Sequence, residues 1–101
     1  MSSKTIQTLT LQKSEDLSAT VLPDGRWLLY SQDAGTAITL TASAGILWEL
    51  CDGLTMVSGL IEQLQEFYPD VPEARLKAET TAMLHDFLEQ GLVHENSPDP
   101  T

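Results

Sequence analysis

The residue types in this 101-residue chain that are best suited to chemistry are one cysteine and two histidines. A cysteine nucleophile needs a base beside it, and no histidine lies near Cys51 in the sequence. Cys51 instead falls on an apolar helical stripe, which is typical of a small buried hydrophobic residue. His85 and His94 do not form the i, i+4 pair that is common among helical metal ligands. The sequence therefore predicts no catalytic residue, no metal ligand and no cofactor.

Carboxylates are abundant, but their distribution indicates a solvated surface and not an acid–base pair. The formal net charge is −10, and from residue 49 onward eleven acidic residues are balanced only by Arg75 and Lys77, which places −9 on this part of the chain. Recognition of phosphates needs clustered lysine and arginine, and no glycine-rich phosphate loop is present. The composition thus argues against nucleic acid as a partner.

The length and the apolar pattern bound the class of protein. A chain of 101 residues can build one modest core. Its longest uncharged run, residues 34–48, is interrupted by threonine, serine and glycine, so no membrane span is predicted. The N-terminus lacks the compact apolar core of a secretion signal, and a single cysteine suits a reducing compartment. We expect a cytoplasmic protein with one domain.

The expected domain covers residues 17–93, between a flexible N-terminal tail of residues 1–16 and a disordered C-terminal tail of residues 94–101. Within the first tail, Leu9 and Leu11 alternate with threonines. A short strand is therefore an alternative there if a sheet edge is available to pair with it.

Three segments carry strand patterns separated by turns. Residues 17–22 alternate small, polar and apolar types, Pro23-Asp24-Gly25 has the composition of a tight turn, and residues 26–31 return as an apolar and aromatic strand. A second turn leads to Thr36–Leu40, which alternates again. Two short connections predict an antiparallel meander with Thr36–Leu40 at its edge. The free N–H and C=O groups of an edge strand invite pairing with another strand.

Three helical stripes follow the strands. The expected helix ends are Thr41 and residues 52–53 for the first, Thr55 and Pro69 for the second, and a capping box of Asp70 and Glu73 with Gly91 for the third. The expected apolar positions are Ala44, Leu47, Trp48, Cys51 and Leu54, then Val57, Leu60, Ile61, Leu64, Phe67 and Tyr68, and finally Leu76, Thr80, Met83, Leu84, Phe87 and Leu88.

Strands followed by helices predict an α+β fold, in which a three-stranded antiparallel sheet is followed by three helices that cover one face. The same order suits a winged-helix-like layout with the hairpin as the wing. The third helix would then contact DNA, yet it carries two basic residues and four acidic ones. A DNA-associated module is therefore an alternative that the charge disfavours.

The order of motifs from residue 40 to residue 93 resembles the PqqD family, coenzyme PQQ synthesis protein D and its relatives. The residues that carry the resemblance are Leu40 at the end of a strand, Ala44-Gly45, the helix end Ile46-Leu47-Trp48-Glu49-Leu50-Cys51-Asp52-Gly53, the Tyr68-Pro69 turn, Met83-Leu84, Phe87, and Gly91-Leu92-Val93. With the preceding hairpin, the similarity covers about three quarters of the chain.

The resemblance implies a RiPP recognition element, a non-catalytic adaptor that binds the leader region of a ribosomally made precursor peptide. Such an adaptor presents the peptide to a modifying enzyme, either a radical SAM enzyme or a leader peptidase. In the family the leader adds as a strand to the third strand of the sheet and lies against the third helix. Carried over by position, the peptide-binding residues are Thr36, Ala37, Ile38, Thr39 and Leu40 on the strand and Lys77, Thr80, Thr81, Leu84 and Leu88 on the helix.

Two other classes of function compete with this adaptor. One is the winged-helix DNA-associated module. The other is a self-associating structural subunit, a homodimer in which the edge of Thr36–Leu40 pairs with its own copy or in which residues 33–35 open for strand exchange. An edge strand alone does not distinguish a foreign peptide from a second copy of the chain.

Overall fold

The computed structural model describes residues 6–96. After a short 3-10 turn at Ile6–Thr8, six strands and three helices follow in one order. They are β1 (Thr10–Lys13), β2 (Leu17–Val21), β3 (Trp27–Ser31), β4 (Thr36–Leu40), α1 (Ala42–Leu50), β5 (Asp52–Met56), α2 (Val57–Phe67), α3 (Glu73–Gln90) and β6 (Val93–Glu95). The α+β class predicted from the sequence is confirmed.

The predicted meander is present as a sheet with the strand order β2-β3-β4. Both hairpins are antiparallel, and their registers are continuous from Leu17 opposite Ser31 and from Trp27 opposite Leu40. Gly25 has φ of 93° in the first turn, a left-handed conformation that glycine adopts without steric cost. One face of this sheet is covered, since Leu29 and Leu40 are buried.

A second sheet, with the order β5-β1-β6, corrects the expectation of one three-stranded sheet. Its central strand β1 lies inside the stretch predicted to be a flexible tail, and Leu11 on it is fully buried. That part of the tail prediction is wrong, because β1 gains two pairing partners and a core position; the strand alternative for Leu9 and Leu11 is the better description. Residues 1–5 lie outside the described part of the chain.

The predicted C-terminal tail also needs correction at its start. His94 and Glu95 belong to β6, which pairs antiparallel with β1. The backbone N–H of Asn96 donates to the carbonyl oxygen of Thr10 at 2.9 Å, so the ladder continues one residue past the strand. The expectation for residues 97–101 lies outside the described residues.

The helix ends agree only in part with the predicted caps. The Oγ1 of Thr41 accepts a hydrogen bond from the N–H of Ala44 at 3.2 Å, as expected for an N-cap, and Gly91 ends α3 with φ of 76°. Three other predicted helix ends are wrong. Helix α1 ends at Leu50 with Cys51 as its C-cap, so residues 52–53 begin β5 and do not close the helix. Met56, not Thr55, precedes α2, and Pro72 precedes α3 without a side-chain hydrogen bond from a capping box.

The core joins both sheets to all three helices. Its buried members include Leu11, Leu29, Leu47, Leu60 and Leu84. Two residues expected in the core are exposed instead: Leu54, 83% exposed on β5, and Phe67, 57% exposed at the end of α2. Leu54 leaves the apolar stripe because α1 ends at Leu50 and the chain turns into a strand. None of the helices within residues 6–96 has the length and apolar character needed to cross a membrane.

Candidate peptide-binding site

Strand β4 is an open edge of the β2-β3-β4 sheet. It pairs with β3 on one side, and within residues 6–96 no strand pairs with the other side. Its five residues are those predicted from the sequence, with the same bounds. Thr36, Ala37 and Thr39 are exposed, Ile38 is half-buried and Leu40 is 8% exposed.

The ladder alternation identifies which backbone groups of β4 point outward. The N–H of Leu22 donates to the carbonyl oxygen of Arg26 at 2.7 Å, and the N–H of Gln32 donates to that of Asp16 at 3.4 Å. Hydrogen-bonded and non-bonded pairs alternate in an antiparallel ladder. The even-numbered residues of β3 therefore bond to β2, and the odd-numbered residues bond to β4.

It follows that Thr36, Ile38 and Leu40 use their backbone groups within the sheet, because they lie opposite Ser31, Leu29 and Trp27. Ala37 and Thr39 lie at the non-bonded positions, so their N–H and C=O groups face the open side of β4. Two donors and two acceptors, spaced two residues apart, are available to a further strand.

A cavity of about 230 Å³ lies beside this edge, on the inner face of the sheet. Thr36 and Ile38 form its wall on β4, and Gln90, Gly91 and Leu92 form the opposite wall at the end of α3. The remaining wall residues are Asp16, Leu17, Leu29, Ser31 and Ala34. Because alternate side chains of a strand point to the same face, a strand paired with β4 would direct every second side chain toward this cavity.

The wall at Gly91 and Leu92 is held by two other parts of the chain. The Oγ of Ser14 donates to the carbonyl oxygen of Gly91 at 2.6 Å, and the N–H of Ser14 donates to that of Leu92 at 3.0 Å. The indole Nε1–H of Trp48 donates to the same Leu92 oxygen at 3.0 Å. The segment after β1 and helix α1 therefore fix the position of the wall.

The residues predicted on α3 do not line this cavity. Thr80 and Leu84 are fully buried, so they are core residues in this conformation, and their contact with a peptide stays a prediction. Lys77 is exposed, while Thr81 and Leu88 are half-buried. The hydroxyl oxygens of Thr80 and Thr81 are buried and have no hydrogen-bond partner among residues 6–96.

The residues that complete the cavity are not those expected from the sequence. The family resemblance implies a wall along the length of the third helix, whereas the wall of this cavity lies at the C-terminal end of that helix, residues 90–92. The Gly91 cap was a signal for that position, because a left-handed residue turns the chain sharply. Asp16 had no signal, since its place depends on the bond from the Ser31 hydroxyl to its carboxylate at 2.8 Å.

The open edge of β4 offers main-chain hydrogen bonds, and the cavity beside it offers space for side chains.

Cys51 does not belong to this site. Burial raises the pKa of the Cys51 thiol to about 12, and Cys51 is fully buried away from the β4 edge. Its Sγ donates to the carbonyl oxygen of Leu47 at 3.3 Å. Within residues 6–96, no three His, Cys, Asp or Glu residues cluster in a way that could hold a metal ion.

The fold of this chain is similar to that of a known protein, and its sequence matches a known family. The chain is similar in fold to a solved structure described as "TbiB1 in Complex with the TbiA(beta) Leader Peptide", with a TM-score of 0.70 and 16% sequence identity over 87% of this chain and 99% of that chain. No curated protein sequence matches this chain. The family model of coenzyme PQQ synthesis protein D (PqqD) matches residues 26–93, well over half of the chain, and agrees with the motif order noted in the sequence. The chain therefore belongs to the PqqD family.

Proposed function

We propose that this protein is a non-catalytic adaptor that binds the leader region of a ribosomally made precursor peptide and presents it to a modifying enzyme. The observation that carries the proposal is the open edge of β4, where the N–H and C=O groups of Ala37 and Thr39 are free beside a cavity of about 230 Å³. Strand addition takes affinity from such main-chain groups and specificity from pockets for alternate side chains.

In the proposed complex, the leader pairs with Ala37 and Thr39 as a fourth strand of the β2-β3-β4 sheet. Alternate leader side chains enter the space between Ile38 and the wall at Gly91 and Leu92. That wall is apolar at Leu92 and carries no charged side chain at residues 90–92. Apolar leader side chains are therefore expected between Ile38 and Leu92, whereas Asp16 and Ser31 make another part of the cavity polar.

Two comparisons support the proposal. The family match covers the β3, β4 and α3 elements that build the site. The similar fold of TbiB1 belongs to a structure with a leader peptide. At 16% identity this likeness concerns the fold, so the peptide-binding role of the present chain rests on its own edge strand.

The enzyme that receives the peptide is proposed to be a radical SAM enzyme or a leader peptidase in the cytoplasm. The order helix, short strand, helix, helix, strand from α1 to β6 is compatible with a winged-helix-like description of the scaffold. Its net charge of −10 disfavours a DNA-binding use of that scaffold, because an acidic surface repels phosphates. Self-pairing of β4 with a second copy is the competing use of the same edge.

The deciding experiment is a titration of this protein with labelled leader peptides from precursor genes that neighbour its own gene. Micromolar or tighter binding, together with chemical-shift changes at Thr36–Leu40, would support the adaptor. Light scattering with and without the peptide separates ligand binding from self-pairing: a dimer that the leader does not dissociate would support a structural subunit. Absence of binding to every neighbouring precursor would contradict the proposal.

A further inference from the structure

A second cavity, of about 520 Å³, lies between α2 and the turn that leads into α3. Ile61 and Val71 contribute apolar walls, and Glu62, Glu66 and Glu73 contribute carboxylates. We name this cavity the acidic groove. It shares no lining residue with the cavity beside β4, so occupation of one leaves the lining of the other free.

The acidic groove has a fixed shape because Gln65 ties its two sides together. Gln65 lies on the same face of α2 as Ile61, one helical turn later, and its Nε2 donates to the carbonyl oxygens of Tyr68 at 3.1 Å and Val71 at 2.8 Å. The Oε1 of the same amide is buried and has no hydrogen-bond partner within residues 6–96, so the two bonds of Nε2 are what hold the turn against α2.

The three carboxylates of the groove are exposed and make no ion pair with residues 6–96. The cations of this part of the chain are engaged elsewhere. Lys13 pairs with Glu49, Arg26 with Asp24 and Arg75 with Glu79, at 3.2, 2.7 and 3.0 Å. Lys77 is the one remaining cation among the described residues. A second copy of this acidic chain therefore offers little complementary charge.

We propose that the acidic groove binds a basic, amphipathic segment of the partner enzyme, with lysine or arginine side chains on the glutamates and an apolar side chain between Ile61 and Val71. Complementary charge favours association with such a segment, and the apolar walls of Ile61 and Val71 give it a specific place to bind. The identity of the partner as the modifying enzyme rests on the proposed adaptor function; the chemistry of the groove does not.

The test uses a synthetic amphipathic helical peptide with leucines at i, i+3, i+4 and i+7 and lysines on the other face, titrated into the full 101-residue chain at low salt and followed by amide chemical shifts. Shifts are expected at residues 61–73 and not at Thr36–Leu40. Replacement E62Q/E66Q should weaken binding about fivefold, as expected for two exposed ion pairs. The matched variant D86N/E89Q removes the same charge from α3, where Asp86 is about 20 Å along the helix from Glu73, and should change the affinity less than twofold.

Equal weakening by the two double variants would overturn the proposal, because it would indicate attraction to the overall charge. Absence of binding, shifts confined to β4, or binding of a control peptide with glutamate in place of lysine would overturn it as well. A leader titration on E62Q/E66Q keeps the two proposals apart. Unchanged leader affinity together with about fivefold weaker binding of the basic peptide supports two sites, whereas a protein that binds the basic peptide and no leader would contradict the adaptor function alone.

Discussion

The indole Nε1–H of Trp48 donates a hydrogen bond of 3.0 Å to the carbonyl oxygen of Leu92, which is 44 positions later in the chain. Both residues are buried, at 4% and 2% exposure. Leu92 lies in the wall of the cavity beside β4, and Trp48 lies on α1, the helix that directly follows β4. This bond connects the two sides of the candidate site through the core. The helix that continues the receiving strand thereby holds the wall opposite it.

Replacement of Trp48 by phenylalanine should destabilise the protein by about 1–3 kcal/mol, because a buried hydrogen bond and part of a ring are lost. The Leu92 oxygen keeps the bond from the N–H of Ser14, so folding is expected to persist. Leader affinity should fall with stability, since the wall is less well fixed. Urea unfolding and a leader titration measure both effects. Ser14→Ala, which removes only the exposed hydroxyl bond to Gly91, should cost less than Trp48→Phe. A larger loss in Ser14→Ala would contradict this account.

The close approach of Gly45 to Trp27 gives a second prediction. A Cβ built on Gly45 would overlap the indole ring of Trp27, which lies on β3 opposite Leu40. Gly45→Ala should therefore cost about 1–3 kcal/mol, typical of an overpacked core, even though alanine is the better helix former. Urea unfolding measures the loss. In a Trp27→Leu background the same replacement should cost much less, because the two changes are coupled. An additive double variant would contradict the steric explanation.

Local patterns in the sequence were sufficient to predict those elements that depend only on residues close together in the chain. The Pro23-Asp24-Gly25 turn, the alternation of Thr36–Leu40, the Thr41 cap and the Gly91 cap each depend on neighbours within about four residues. All four are present in the structure. They define the receiving edge and the position at which α3 ends.

The second sheet could not be predicted in the same way, because the residues of β1 pair with residues that lie forty or more positions later in the chain. Its central strand is only four residues long and its partner β6 only three. The apolar stripe of α3 also did not show which of its residues are buried in the core and which face a peptide-binding surface. Thr80 follows the apolar spacing and is fully buried, while Lys77 is exposed. Which side of a helix meets a given sheet is decided by tertiary packing.

The buried thiol of Cys51 should make the free energy of unfolding fall as the pH rises into the alkaline range. Its pKa is raised from 9.0 to about 12, chiefly by desolvation. The stability that the neutral thiol gives the folded protein is fully present below pH 9.0 and is lost as the pH rises toward 12. The reason is that the Cys51 thiol of the unfolded chain ionises at a lower pH than that of the folded chain. The slope approaches about 1.4 kcal/mol per pH unit inside that window. Urea unfolding between pH 8 and pH 10.5 should show a steeper decline for the native chain than for Cys51→Ala. Equal slopes would contradict the assignment.

The outward N–H of Thr39 provides the sharpest test of strand addition. Thr39→Pro removes this donor without removing a bond to β3, because Thr39 lies at a non-bonded position opposite Leu28. Proline is tolerated on edge strands whose N–H faces solvent, so the variant is expected to fold. Leader affinity should fall at least about tenfold, since one main-chain bond and the approach of the partner backbone are lost.

Thr39→Val is the matched control, because it removes the hydroxyl group but keeps the backbone donor. Its leader affinity should stay within about twofold of the native value. Ile38→Pro, one residue earlier, removes a bond inside the sheet and should lower the free energy of unfolding as well as the affinity. Calorimetric titration and urea unfolding of the three variants separate these effects. If Thr39→Pro bound the leader as tightly as Thr39→Val, the peptide would not pair with β4, and the cavity wall at residues 90–92 would have to bind it through side chains alone.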